Sequence, residues 1–398
     1  MKLITKLIVL IVVQWSNQNA LATQPHIYKR VLFKISDNNG VVPQITVSPQ
    51  GHYVLIADGV KCSLYNTSTN TCSSINAIVP SNVIKVIFSP DEHWVCFALF
   101  NKKHVNTVSL QFYDLLQMRI AQIAPIKSPP QENFPVQYCF SPDSKSLCWL
   151  TESKNHDGQI HLSILSLSNK KVTVLNRCSR QLSKNSLFKD HPIQECEYLR
   201  WSAFAGIHFQ CSRQNDDNNT NFLVSVSPSS DRVKDIYPFG FLEHAYRTQA
   251  KYVKVSNDQI ALSGINSSTQ NIIRVPSHPS NSIAVYTDSI FCTKANCLYF
   301  VELLGISTYK ERTLIDYHNM LQIWFVDLTR NKLYSVSKTR IPTRLNLFQS
   351  SCTSSHFGGG NKSKEIEFVL DASEDGKTLA YWEYKNKNCI FILSITLR

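Results

Sequence analysis

Phe88-Ser-Pro-Asp-Glu-His-Trp-Val-Cys-Phe-Ala98 joins two apolar runs through a short polar turn. Proline presets φ at one turn position, and Ser or Asp caps the turn with its side chain. Aromatic and β-branched residues on both sides make the stretch a β-hairpin. The pattern returns as Val47-Ser-Pro-Gln-Gly-His-Tyr-Val-Leu-Ile-Ala57, as Phe140-Ser-Pro-Asp-Ser-Lys-Ser-Leu-Cys-Trp-Leu150 and as Ala372-Ser-Glu-Asp-Gly-Lys-Thr-Leu-Ala-Tyr-Trp382. Further strand-turn-strand pairs have the same form. Ser109–Leu115 precedes Arg119–Ile123, His161–Leu167 precedes Lys171–Leu175, and Leu321–Leu328 precedes Lys332–Val336. One unit is thus four antiparallel strands over about 40 to 55 residues, the size of a propeller blade.

Seven such units are expected, beginning near residues 44, 83, 135, 197, 252, 288 and 365, with six or eight as alternatives. The weaker ones rest on Tyr198–Ser202 with Gly206–Gln210, on Tyr252–Ser256 with Ile260–Ser263, and on Ser289–Phe291 with Leu298–Glu302. The last unit supplies only Ile366–Leu370, Thr378–Tyr384 and Cys389–Leu397. An orphan strand, Tyr28–Ile35, is expected to complete it and so close the ring without an open edge. The predicted fold class is all-β: a single propeller of four-stranded antiparallel blades. Residues 178–196, 214–221 and 349–364 are polar and read as loops; the glycines 358–360 lack the strand, helix and Lys-Ser/Thr context of a phosphate cradle.

The Phe-Ser-Pro-Asp repeat resembles the WD-repeat-like β-propeller repeat of TolB-type periplasmic proteins, and that of the propeller domains of prolyl oligopeptidase relatives. The copies at Phe88 and Phe140 match well. The copy at Ser373 keeps Asp375-Gly376-Lys377 without the proline, and the copy at Ser48 carries Gln50 in place of aspartate. The resemblance implies the fold and, by the TolB type, a protein partner docking on one face or in the central funnel. The chain lacks room for the separate N-terminal domain that TolB carries, and between 197 and 340 the signature is nearly gone.

Residues 1–22 read as a signal peptide, with Lys2 and Lys6 before an uncharged Leu7–Trp15 stretch and a small-x-small site at Ala20-Leu21-Ala22. The expected domains are this leader and a propeller over 23–398, secreted or periplasmic after cleavage, with no transmembrane segment. The net charge of +12 falls to +10 because the leader holds two lysines and no acid. Basic residues are spread without long runs, so no nucleic-acid partner is expected, and charge at this density is a screened, non-specific effect. Charged residues make up 18% of the chain, which excludes long salt-bridged helices and coiled coils.

In an oxidising compartment the twelve cysteines permit disulfides. Cys62/Cys72 and Cys292/Cys297 read as hairpin clasps, Cys139/Cys148 and Cys196/Cys211 have similar spacing, and Cys96 and Cys148 also suit buried apolar positions.

Motifs for chemistry are missing. No Gly-x-Ser-x-Gly elbow, His-Glu-x-x-His, Walker loop or dinucleotide fingerprint occurs. Ser373-Glu-Asp375-Gly376 lacks the spacer of a sialidase-type Asp box and reads as a repeat turn. His93, His104, His156, His161 and His191 show no ligand spacing, Asp190-His191 reads as a loop feature, and Asp114, Asp143 and Asp327 read as recurring at equivalent repeat positions, where they bond turns. Glycosylation patterns stand at Asn66, Asn218, Asn266 and Asn361. No catalytic, cofactor-binding or metal residue is assigned, and no cofactor is expected. The expected function is a monomeric, non-catalytic scaffold for protein–protein interaction. The alternatives are a hydrolase or lyase sited in the channel, with or without a metal, and a secreted effector of a host-associated bacterium.

Overall fold

The computed structural model describes residues 26–34, 43–76, 78–100, 108–121, 137–152, 160–188, 193–204, 206–213, 220–240, 244–247, 251–255, 259–264, 270–275, 282–292, 294–310, 313–341, 369–383 and 389–396. Its strands are β1 (His26–Lys34), β2 (Gln44–Val47), β3 (Tyr53–Ala57), β4 (Cys62–Asn66), β5 (Thr71–Ser74), β6 (Val83–Phe88), β7 (Trp94–Phe100), β8 (Val108–Asp114) and β9 (Arg119–Ala121). These are followed by β10 (Gln137–Phe140), β11 (Ser146–Glu152), β12 (Ile160–Ser166), β13 (Val172–Val174), the helix α1 (Asn176–Ser183), β14 (Ile193–Ser202), β15 (Gly206–Arg213), β16 (Thr220–Ser227) and β17 (Arg232–Gly240). The chain continues through β18 (His244–Arg247), β19 (Lys251–Val255), β20 (Gln259–Gly264), β21 (Gln270–Arg274), β22 (Ser282–Cys292), β23 (Cys297–Lys310), β24 (Thr313–Asp327) and β25 (Lys332–Ile341). The last strands are β26 (Val369–Ala372), β27 (Thr378–Glu383) and β28 (Cys389–Thr396).

Among the described residues these strands form seven four-stranded antiparallel sheets, in the orders β2–β5, β6–β9, β10–β13, β14–β17, β18–β21, β22–β25 and β1-β28-β27-β26. The fold is a β-propeller. Neighbouring blades approach through their first strands, β26 beside β2, β2 beside β6, β6 beside β10 and β10 beside β14, so the first strands surround the middle of the ring. The orphan strand closes the circle as expected. β1 pairs with β28 from His26 opposite Thr396 to Lys34 opposite Cys389, with one irregularity at Val31/Phe33.

The repeat motif folds as a hydrogen-bonded relay. Ser89 Oγ accepts the Trp94 N–H at 2.9 Å and donates to Asp91 Oδ1 at 2.5 Å, and Asp91 in turn accepts the His93 N–H at 3.0 Å. Ser141, Asp143, Lys145 and Ser146 repeat these bonds, as do Ser373, Asp375, Lys377 and Thr378. The hydroxyl hydrogen bond to Asp143 holds its carboxyl below the usual range against some burial. The residue three after each serine is left-handed: Gly51, Glu92, Ser144 and Gly376. Two of these need glycine for space as well. A Cβ on Gly376 would stand 2.6 Å from Cys297 Sγ, and one on Gly51 would collide with Thr378 Oγ1. Glu92 bears a side chain in this conformation and uses it, accepting the Gln50 N–H at 2.6 Å and meeting His52 Nδ1 at 2.7 Å.

These turns also link blade to blade. Glu374 O accepts the N–H groups of Lys294 and Ala295 at 3.1 Å, the Glu374 N–H donates to Pro49 O at 2.9 Å, and the Asp91 N–H donates to Ser144 Oγ at 3.0 Å. Beneath the turns the seams are apolar. Leu55, Leu64 and Phe97 pack between the first two blades, Phe112, Phe140 and Leu147 between the next two, and Tyr299, Phe325 and Tyr381 between the last two. Burial of aromatic and branched side chains at these seams supplies the main drive to close the ring.

Several details depart from the sequence reading. The fifth blade begins at His244, in β18; Tyr252, read as its start, lies in the second strand. Residues 178–196 are not all loop, because α1 begins at Asn176 and buries Cys178 and Leu182. Its own N-cap, Leu175, offers no side-chain bond; Asp231 from the next blade accepts the N–H groups of Arg177 and Cys178 at 2.8 and 2.9 Å. Cys62 and Cys72 do not face each other, since Cys62 is opposite Ala57 and Cys72 opposite Tyr65. Cys139 is opposite Cys148, with their Sγ atoms 3.1 Å apart, and Cys292 is opposite Cys297. Cys96 is buried, which pushes its thiol up. Residues 1–25, residues 349–364, read above as a loop, and Asp190-His191 lie outside the described residues.

Removing a relay hydroxyl leaves one turn N–H and one carboxylate without their partner. Ser89→Ala or Ser141→Ala should lower unfolding free energy by about 1 to 2 kcal/mol. Ser48→Ala should cost less, because Gln50 stands where the other relays place aspartate. Urea melts of the three variants check this, and equal losses would remove the aspartate from the account.

Candidate functional site

Side chains alternate along the first strands. Counted back from the turn serine, the residues one and three places earlier are buried in the seams: Val47 and Ile45, Phe88 and Val86, Phe140 and Tyr138, Ala372 and Leu370. The residues two places earlier keep solvent contact: Thr46, Ile87, Cys139, Arg200 and Asp371. A second tier, four places back, holds Gln44, Lys85, Gln137 and Tyr198. Ile87 and Cys139 still pack against seam cores, so the side chains of these tiers that border the central opening are Thr46, Arg200 and Asp371 with Gln44, Lys85 and Gln137.

The inner edge of each first strand has no neighbour in its own sheet, so its backbone groups need partners from elsewhere. Side chains of adjacent blades supply them. Asp371 Oδ2 accepts the Val47 N–H at 2.7 Å, Thr46 Oγ1 donates to Val86 O at 3.4 Å, and Gln44 Nε2 donates to Val83 O at 3.4 Å. On the far side Gln210 Nε2 donates to Ala245 O at 2.7 Å. Lys85 Nζ donates to Gln137 Oε1 at 2.8 Å, from the second blade to the third.

Asp371 is the described acid of this lining. Burial pushes its carboxyl up to about 6, against the pull of the Val47 N–H and of the charges of Arg200 and Lys85. Near neutral pH the described part of the lining therefore carries the cations Lys85 and Arg200 and one carboxylate already engaged by a backbone N–H. Among the described residues no group of three His, Cys, Asp or Glu side chains is placed to hold a metal ion. No described helix is long and apolar enough to cross a membrane.

No protein-family model matches the chain, and no curated protein sequence does. Solved structures do match. An oligogalacturonate lyase from Vibrio parahaemolyticus aligns over 94% of this chain and 97% of its own, with a TM-score of 0.56 and 10% identity. The Cps50 (Swd1) β-propeller domain of Myceliophteria thermophila aligns over 93% of this chain and 100% of its own, with a TM-score of 0.51 and 10% identity. At such identity the likeness concerns the fold alone. The fold is shared by an enzyme and by a domain whose name records only a propeller, so function must come from the residues.

The residues singled out in the sequence fall mostly on turns. Asp114 Oδ1 accepts the N–H groups of Leu116 and Gln117 at 2.9 Å, and Asp327 Oδ1 accepts those of Thr329 and Arg330 at 2.9 Å. Burial opposes ionisation of Asp114, yet these N–H groups and His93 hold its carboxyl below the usual range. Asp114 and Asp327 are equivalent to each other, whereas Asp143 belongs to the other kind of turn. His93 stacks on Trp94 with ring centroids 4.5 Å apart and stands 3.4 Å from Asp114. His161 lies half-buried in β12, while His104, His156 and His191 are outside the described residues. Asn66 caps a turn by accepting the Ser68 and Thr69 N–H groups; Asn218, Asn266 and Asn361 are outside the description. Arg200 and Asp371 went unnoticed in the sequence. Their signal was a charge two places before a turn serine, where other copies carry Thr46, Ile87 and Cys139.

A carboxyl raised to about 6 binds its proton more tightly in the folded chain than in the unfolded one, whose value is near 3.8. It therefore destabilises the fold fully above pH 6, and the penalty fades as pH falls from 6 to 4. Asp371→Asn keeps an oxygen for the Val47 N–H and loses the charge. The variant should be more stable than the parent by on the order of 1 to 2 kcal/mol at pH 7, with the gap closing by about pH 4. A gap that stays constant across this range would show that Asp371 is not the titrating group.

Proposed function

We propose that the protein is an exported, non-catalytic propeller scaffold that holds a protein partner against one face of the ring or in its central opening. The observation that carries the reading is how the repeated polar side chains are spent. Ser89, Ser141 and Ser373 with Asp91, Asp143 and Asp375, the residues from which repeat-borne chemistry would be built, are engaged in closing turns. Asp114 and Asp327 are engaged likewise. What remains on that face is a set of short turns, whose exposed tips include Lys145, Lys170, Arg330 and Lys377. A rigid ring of this kind offers a broad pre-organised surface, which lowers the ordering cost of association.

Export is part of the proposal, and rests on residues 1–22 together with the cysteines. Cys139 with Cys148 and Cys292 with Cys297 are cross-strand partners, and in an oxidising compartment each pair would close a disulfide linking the first two strands of its blade. Within the reduced pairs, burial and then the neighbouring Cys139 raise the Cys148 thiol, and the Cys297 contact and then burial raise that of Cys292. Buried protonated thiols of this kind are poor nucleophiles, which favours a structural role.

Two measurements test the reading. The protein isolated from its native host should begin after Ala22 and weigh two hydrogens less per bridge than the reduced chain, with peptides 139/148 and 292/297 linked. Retention of residues 1–22, or free thiols at all four positions, would overturn export. Crosslinking and affinity capture, repeated with purified components, should yield one partner in fixed stoichiometry. Stoichiometric bound metal with loss of stability on chelation would instead favour an enzyme.

A further inference from the structure

The two described cations of the opening are held differently. Lys85 is half-buried and bonded to Gln137, whereas Arg200 is exposed and makes no hydrogen bond or ion pair with a described residue. Arg200 lies two places before Ser202, the position that Asp371 takes before Ser373. Equal positions in equivalent strands place the two at the same depth, in the fourth and seventh blades, on opposite sides of the ring. Among the groups that favour ionisation of Asp371, on another blade, is the charge of Arg200.

The strand that carries Arg200 is irregular at this point. β14 shifts register against β15 between Gln194 and Glu197 and again between Glu197 and Arg200. Tyr198 adopts a left-handed φ of 52°, and its ring meets Tyr246 of the next blade edge-on at 6.3 Å. Bulges and left-handed residues with side chains forfeit ladder bonds and backbone comfort, and such costs collect where a side chain serves a ligand. Here Arg200 is the next residue to regain a strand partner, His208.

We propose that the central opening binds a carboxylate through Arg200, presented by an acidic peptide segment that enters from the face of the turns. The guanidinium fork matches a carboxylate with two parallel hydrogen bonds, and a confined opening strengthens and focuses its field. Asp371, across the opening, is already bonded to the Val47 N–H and so does not quench it. Arg200 stands two residues from the turn, a depth of about 7 Å along the strand. A side chain of an extended peptide reaches that depth, and a flat membrane or duplex does not.

The peptide source rests on the scaffold reading above, so the test separates the two. Hexaglutamate titrated into the full-length mature protein by calorimetry should bind, and hexaglutamine should not. Arg200→Gln should weaken hexaglutamate by at least about tenfold, and Arg200→Lys should fall between, since an ammonium lacks the fork. All three proteins should fold alike, with at most a small loss of stability for Arg200→Gln near neutral pH, where the charge of Arg200 eases the ionisation of Asp371. Equal hexaglutamate affinity in the parent and Arg200→Gln overturns the site. Binding of a polyuronate in place of hexaglutamate overturns the peptide. A captured partner that binds the parent and Arg200→Gln equally leaves the scaffold standing and overturns this site. Arg200-dependent hexaglutamate binding with no partner found upholds the site and removes the scaffold.

Discussion

The last blade is made from both ends of the described chain, and the ring depends on that junction. β28 reads Cys-Ile-Phe-Ile-Leu-Ser-Ile-Thr, an apolar strand that would template aggregation if left at an open edge. Pairing with β1 covers it along its whole length. The opposite edge of the same blade is bound to the first blade by different means, through Asp371 to the Val47 N–H and through Glu374 to Pro49. Register, side chain and turn thus tie the same two neighbours together. Loss of any one leaves the other two in place, at a seam that the chain itself also crosses from β1 to β2.

Internal repetition separates what the fold needs from what varies. One and three places before each turn serine the residues are apolar and buried, because they fill seams that are alike around the ring. Two places before, the side chain is only partly held by the seams: Ile87 and Cys139 still pack there, whereas Arg200 is exposed. There the chain carries a hydroxyl, an isobutyl-sized aliphatic, a thiol, a guanidinium and a carboxylate, in Thr46, Ile87, Cys139, Arg200 and Asp371. A position that varies this widely among otherwise similar units is where a ring of copies acquires an individual character.

Much of this was legible in the sequence, for physical reasons that also mark its limits. The hairpins at Ser89, Ser141 and Ser373 announced themselves because one short segment holds the whole relay. The fifth blade was read one strand late because the alternation of Tyr252–Ser256 looks the same whether a strand is first or second in its sheet. α1 was missed because its cap, Asp231, comes from another blade and leaves no local mark. The Cys62/Cys72 clasp failed on register, since spacing across a turn does not fix which residues stand opposite. Arg200 and Asp371 meet only through closure of the ring, and no window of sequence contains both.

The same geometry explains why the overall charge said so little. A net charge of +12 spread over a large surface is screened within roughly 8 to 10 Å at moderate salt, so each exposed lysine acts nearly alone. Inside the opening, ions and water have less room and the lining is fixed by backbone bonds, so a single guanidinium carries more weight than several surface lysines. Its natural counter-charge, Asp371, is turned toward the Val47 N–H and made harder to ionise by burial. An arriving carboxylate would therefore displace no described hydrogen-bond or ion-pair partner of Arg200. Most of the ordering that such a contact requires is done when the ring closes.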